Sequence, residues 1–183
     1  MPIKVITPPA ELPVTVAEVK AFANVSINDD DTLLTSLLTS AVAKTENRTG
    51  SRIITQTLEL YLDSFPGTTG EIRLPGPVAS VTSVKYTDTD GDEQTLASSK
   101  YVLDAVSNPA RLVPAYEEEW PETREKVNAV VIRFVTGTAK ADCPEMIKTY
   151  IKACVTWQYD NRDGDPFEKL VGLIDGYIRE FPV

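Results

Sequence analysis

Clustered carboxylates are the groups in this sequence with the widest chemical reach, and two clusters have a spacing that chemistry uses. Asp88-Thr89-Asp90-Gly91-Asp92 sets acids at alternate positions, as a calcium loop does. The glycine stands fourth where an EF-hand needs it sixth, and the twelfth position is Ser99, which has no carboxylate to offer. Asp-Gly between strand-like runs reads instead as a hairpin turn. Glu117-Glu118-Glu119, followed by Trp120-Pro121, supplies adjacent carboxylates, the raw material of acid-base catalysis. Such catalysis needs positioned acids whose pKa values are pushed apart, and consecutive acids in a loop read rather as a solvated or interfacial face. Nucleophilic chemistry lacks its base. With no histidine, the Ser-His-Asp and Cys-His arrangements cannot form, and neither Cys143 nor Cys154 lies in a CxxC setting. No glycine-rich phosphate loop appears. The expectation is therefore no catalytic residue, no metal site and no cofactor. Two alternatives stay open: a β-rich ligand- or carbohydrate-binding module, suggested by Tyr116 and Trp120 read as exposed loop aromatics, and a carboxylate-dependent enzyme.

Composition narrows the partners. The 183 residues are 42% hydrophobic, enough for a real core, and carry a net charge of −9. Phosphate binding by counterion release needs an excess of lysine and arginine, so tight nucleic-acid binding is disfavoured. Two cysteines imply no disulfide framework. The start MPIKVITPPAELPV lacks the basic patch and apolar run of a signal peptide, and no stretch has the roughly 20 apolar residues a membrane span requires. Synthesis and use in the cytoplasm, without a membrane, is the expectation.

The elements that would carry these residues change period along the chain. Thr15-Val16-Ala17-Glu18 has capping-box spacing and opens a short helix. Asp29, Asp30 and Asp31 suit the positive end of a second helix, in which Leu33, Leu34, Leu37, Leu38, Ala41 and Val42 recur at helical spacing until Gly50. Leu58, Leu60 and Leu62 then alternate with polar residues, as a half-buried strand does. The runs 72–74, 81–86, 101–103 and 130–135 bring the expected strands to about five, and a long proline-marked connection, 107–128, precedes the last. A third helix follows Pro144, and Asp165-Pro166 opens a fourth. The fold class expected is α+β: a helical core of about four helices with a β subdomain of about five strands inserted between helices 2 and 3. Its parts are residues 1–54, 55–137 and 138–183.

The fourth helix has a stripe of large apolar residues, Phe167, Leu170, Val171, Ile174, Tyr177, Ile178 and Phe181. Gly172 and Gly176 weaken it by about 1 kcal/mol each relative to alanine, and Gly164 gives it a hinge. A helix that orders against a partner has these features.

The segment Ile72-Arg73-Leu74-Pro75-Gly76-Pro77-Val78-Ala79-Ser80-Val81-Thr82-Ser83-Val84-Lys85-Tyr86, with the Asp90-Gly91 turn, resembles the head-tail connector (adaptor) proteins of long-tailed phages and prophages. Asn47-Arg48-Thr49-Gly50, Ile54-Thr55-Gln56-Thr57, Pro109-Ala110-Arg111-Leu112, Trp120-Pro121, Asn128-Ala129-Val130 and Thr136-Gly137 agree with it in order. The resemblance implies a structural protein of the virion neck and a ring homo-oligomer, a dodecamer, beneath the portal. The ring would contact a stopper or tail-completion protein, with double-stranded DNA passing through its lumen unbound. The apolar stripe of the fourth helix would dock on the portal.

Overall fold

The computed structural model describes residues 2–161 together with 169, 170, 172 and 174. It has the strands β1 (Ile3–Thr7), β2 (Gln56–Leu62), β3 (Ile72–Leu74), β4 (Val78–Thr87), β5 (Glu93–Leu96), β6 (Tyr101–Asp104), β7 (Ala110–Pro114) and β8 (Val130–Thr136). Its helices are α1 (Val16–Ala23), α2 (Asp31–Thr49) and α3 (Glu145–Asp160). Contacts divide the chain into two compact units. The chain up to Pro9 and Thr55–Gly137 make a β unit, while Ala10–Ile54 and the described residues from Thr138 onward make a helical unit.

Local chemistry sets the helix ends. The Thr15 side chain accepts the Glu18 amide at 3.1 Å, while the Glu18 carboxylate accepts the Thr15 amide at 2.6 Å, so both orphan donors are satisfied. Asp31 occupies the first turn of α2, and Gly50 closes it in the left-handed region at φ 62°. Leu34, Leu38, Ala41 and Val42 bury one stripe of α2, and Ile147, Tyr150, Ile151, Cys154 and Val155 bury the facing stripe of α3. Leu33, expected inside, lies 41% exposed. Two buried hydroxyls, Thr45 and Thr49, are satisfied by carbonyls one turn earlier at 2.7 and 2.9 Å, so burying them leaves no orphan.

The β unit differs from expectation in strand number. Among the described residues there are seven strands between α2 and α3 instead of about five, and the strand before α1 makes eight, in two antiparallel sheets. One sheet runs β1-β2-β8-β4-β5 and the other β3-β7-β6. β1, placed with the helices on sequence grounds, pairs with β2 instead; five residues bracketed by Pro2 and Pro8-Pro9 are too short to show a period. β5, Glu-Gln-Thr-Leu, is nearly all polar because it is an edge strand, and β7 lies inside the proline-marked 107–128 connection. The fourth helix falls largely outside the described residues. Leu58, Leu60, Ile132 and Phe134 from the large sheet share one core with Ile72, Leu74, Ala110 and Leu112 from the small one.

Candidate interaction surfaces

The residues capable of chemistry are dispersed. Among the described residues no group of three or more histidine, cysteine, aspartate or glutamate side chains converges as a metal site. Asp88 closes the β4–β5 hairpin: its carboxylate accepts the amides of Gly91 and Asp92 at 3.0 and 2.9 Å and the Gln94 side chain at 2.7 Å. The Gln94 bond and these amides hold the carboxyl below its ordinary value. Glu118 is bound by Lys100 at 2.7 Å. Cys143 and Cys154 are both buried and unbridged.

Trp120 corrects the sequence reading. Expected on the surface beside Tyr116, it is 5% exposed, while Tyr116 is 90% exposed. Its ring stacks on Phe65 with centroids 4.8 Å apart and planes 5° from parallel, and its Nε1–H donates to the Gly70 carbonyl at 2.7 Å. The backbone amide of Trp120 donates to Thr68 at 2.8 Å. The aromatic thus fastens the 107–128 connection to the loop after β2, and the pair of exposed aromatics that suggested a ligand-binding module does not exist.

Of the stripe expected to dock on a partner, Ile174 is fully buried in the core of the helical unit and Leu170 packs partly buried against that core. Phe167, Val171, Tyr177, Ile178 and Phe181 lie outside the described residues.

The face of the large sheet opposite its core side carries charged residues. Cross-strand register aligns Lys4, Glu59 and Arg133 on neighbouring strands. Although it lies on that face, Glu59 is 8% exposed, because Tyr61 and Arg133 reach over it. Burial pushes the Glu59 carboxyl up; the Tyr61 hydroxyl at 2.6 Å, the Arg133 guanidinium at 2.6 and 2.9 Å, and Lys4 more than offset this and hold it below 4.5. A carboxyl whose folded value is depressed contributes stability that is complete above the unfolded value and is lost as pH falls through the folded one. Glu59→Gln should therefore lower the urea midpoint at pH 7, with the gap to the parent closing as pH falls below 4.5. An equal gap at pH 7 and pH 3 would show that ionisation has no part in it. On the small sheet, Asp104, Arg111, Glu71 and Arg73 form a ladder with contacts of 2.7, 3.5 and 2.8 Å. The Ser107 hydroxyl and Arg111 hold Asp104 well below the usual carboxylate range. These pairs are exposed, so they contribute little stability.

Both ends of the large sheet are open: among the described residues no strand lies beyond β1 or beyond β5. The sequence reading missed β1, whose Ile3 and Val5 are 38% and 48% exposed. The only trace of it in the sequence is Ile-Lys-Val after Pro2, shorter than the roughly four residues over which a strand period can be read.

Comparison with known proteins places this arrangement. Residues 13–108 match the model of the family described as phage gp6-like head-tail connector protein. A comparison with curated proteins finds no match. Among solved structures, the chain is similar to one in the neck of an empty GTA particle computed with C6 symmetry, with a TM-score of 0.80 and 22% identity, covering 100% of this chain and 98% of that one. A chain in the virion of a native gene transfer agent particle gives 0.79 and 21% at the same coverage. A third, from the neck of a native GTA particle computed with C12 symmetry, gives 0.76 and 24%, again at the same coverage. At these identities the likeness is one of fold.

Proposed function

The chain belongs to the phage gp6-like head-tail connector family, and on that premise we propose that it is a structural subunit of a virion neck, assembling as a ring beneath the portal. The ring joins head to tail and forms part of the DNA passage. The observation that carries this reading is the family match, which runs from the start of the helical unit well into the β unit. The similar chains of the GTA particles sit in a neck computed with six- or twelvefold symmetry, which favours a ring, and a dodecamer in particular. Each copy carries a net charge of −9, and a ring multiplies it. A bore of that sign repels phosphate and leaves DNA free to slide.

The neighbours in this reading are the portal above and a stopper or tail-completion protein below. The terminal stripe docks on the portal, with Ile174 as its anchor in the helical core and residues such as Ile178 as the contact. Truncation after Asp165 would remove that anchor along with the contact, so a point substitution is the cleaner test. Ile178→Asp should reduce co-sedimentation with cognate portal rings at least tenfold while leaving the circular dichroism spectrum unchanged. Portal binding at the parental level would remove the docking assignment. Electron microscopy of the protein with portal tests the ring itself.

A further inference from the structure

The two open edges of the large sheet match each other. Every neighbouring pair in β1-β2-β8-β4-β5 is antiparallel, so β1 and β5, four steps apart, run in the same direction. The Pro2 carbonyl accepts the Tyr61 amide at 3.1 Å, which by alternation turns Lys4 toward β2 and the backbone groups of Ile3 and Val5 outward. At the opposite edge the Asp88 amide donates to the Asp92 carbonyl at 2.9 Å, and the same alternation turns the backbone groups of Glu93 and Thr95 outward. Each edge thus presents two outward residues at a spacing of two.

Resting on the ring reading above, we propose that β5 of one subunit pairs in parallel with β1 of the next, so that the sheet continues from copy to copy. In the register that sets Val5 beside Leu96, six of the eight outward groups pair: the Ile3 amide donates to the Glu93 carbonyl, the Thr95 amide to the Ile3 carbonyl, and the Val5 amide to the Thr95 carbonyl. Lys4 then stands beside Thr95, and Val5 beside Leu96. Side chains agree on both faces. Val5 aligns with buried Leu58, and Leu96 with buried Val84, so the two apolar residues meet on the core side. Lys4 shares the outer face with Glu59, and Glu93 shares it with Lys85, so the Lys4 ammonium meets the Glu93 carboxylate across the seam. Each β1 uses its edge on one neighbour and each β5 on the other, a head-to-tail relation of the kind that closes into rings. A self-complementary β1-to-β1 contact would be antiparallel and would stop at a dimer.

Within one chain the two edges lie roughly 19 Å apart, four strand spacings, too far for a disulfide to bridge. A Lys4→Cys, Thr95→Cys double variant, oxidised at high concentration, should therefore give a ladder of covalent multimers on a denaturing gel, with neither single variant extending beyond a dimer. Both positions are exposed, so folding is preserved. Val5→Pro removes an outward donor without touching the β1–β2 bonds and should reduce ring formation at least tenfold while the monomer keeps its spectrum. Rings visible by electron microscopy with no ladder in the double variant, or with undiminished assembly of Val5→Pro, would overturn this contact. Parent protein that never forms rings, even on portal, would overturn the connector reading instead.

Discussion

Trp120→Ala lowers the stability of the β unit by about 3–5 kcal/mol, a large share of the roughly 5–15 kcal/mol by which a domain is held folded. The side chain is 5% exposed, so its removal leaves a cavity over Phe65, whose ring also meets Tyr86 edge-on at 5.9 Å and 63°. It also strips the Gly70 carbonyl of its indole partner at 2.7 Å. Trp120→Phe separates the two effects: it keeps an aromatic on Phe65 and gives up the hydrogen bond, for a loss nearer 1 kcal/mol. Urea unfolding of the purified chain reads both values. A cost below about 1 kcal/mol for the alanine variant would mean that the stack does not hold the 107–128 connection in place.

The second large effect lies in the helical unit. Ile174 is fully buried with Val14, Leu34, Leu38 and Tyr150 in one cluster, and Ile174→Ala should cost about 2–5 kcal/mol by the same measurement. The size of that number matters for function. A segment that swings free on the hinge at Gly164 would lose nothing from the change, because its side chain would already be in water. A full core penalty would show that Ile174 stays in the helical core in solution, and the portal docking proposed above would then cost less ordering entropy.

Legibility in the sequence followed the range of the interactions. The Thr15 capping box, the α2 stripe ending at Gly50 and the Asp90-Gly91 hairpin were all readable, because their causes lie within a turn or two of chain. Trp120 was not. Flanked by a glutamate and a proline it has the local character of a solvated loop, and its burial depends on Phe65 and on a carbonyl 50 residues earlier. β1 and β5 escaped for a related reason: an edge strand has one neighbour and a partly wet face, so its residues need not alternate strongly, and Glu93 and Gln94 would be equally at home in a turn. The candidate surfaces were legible only as far as they were made of side chains. The outward amides of Ile3, Val5, Glu93 and Thr95 belong to the backbone, and only the register of the finished sheet shows where they point.

The strand order also has a temporal side. β8 sits between β2 and β4 in space but is the last of the eight described strands to be made. At about 5–20 residues per second, a ribosome needs roughly 3 to 14 s to travel from the end of β2 at Leu62 to the start of β8 at Val130. For that interval the nascent chain holds the flanks of a sheet whose middle does not yet exist, with Leu58 and Leu60 awaiting Ile132 and Phe134. Apolar strand residues left without their central partner are the kind of surface that makes a growing chain prone to aggregate, so the late position of β8 sets how long this one stays vulnerable.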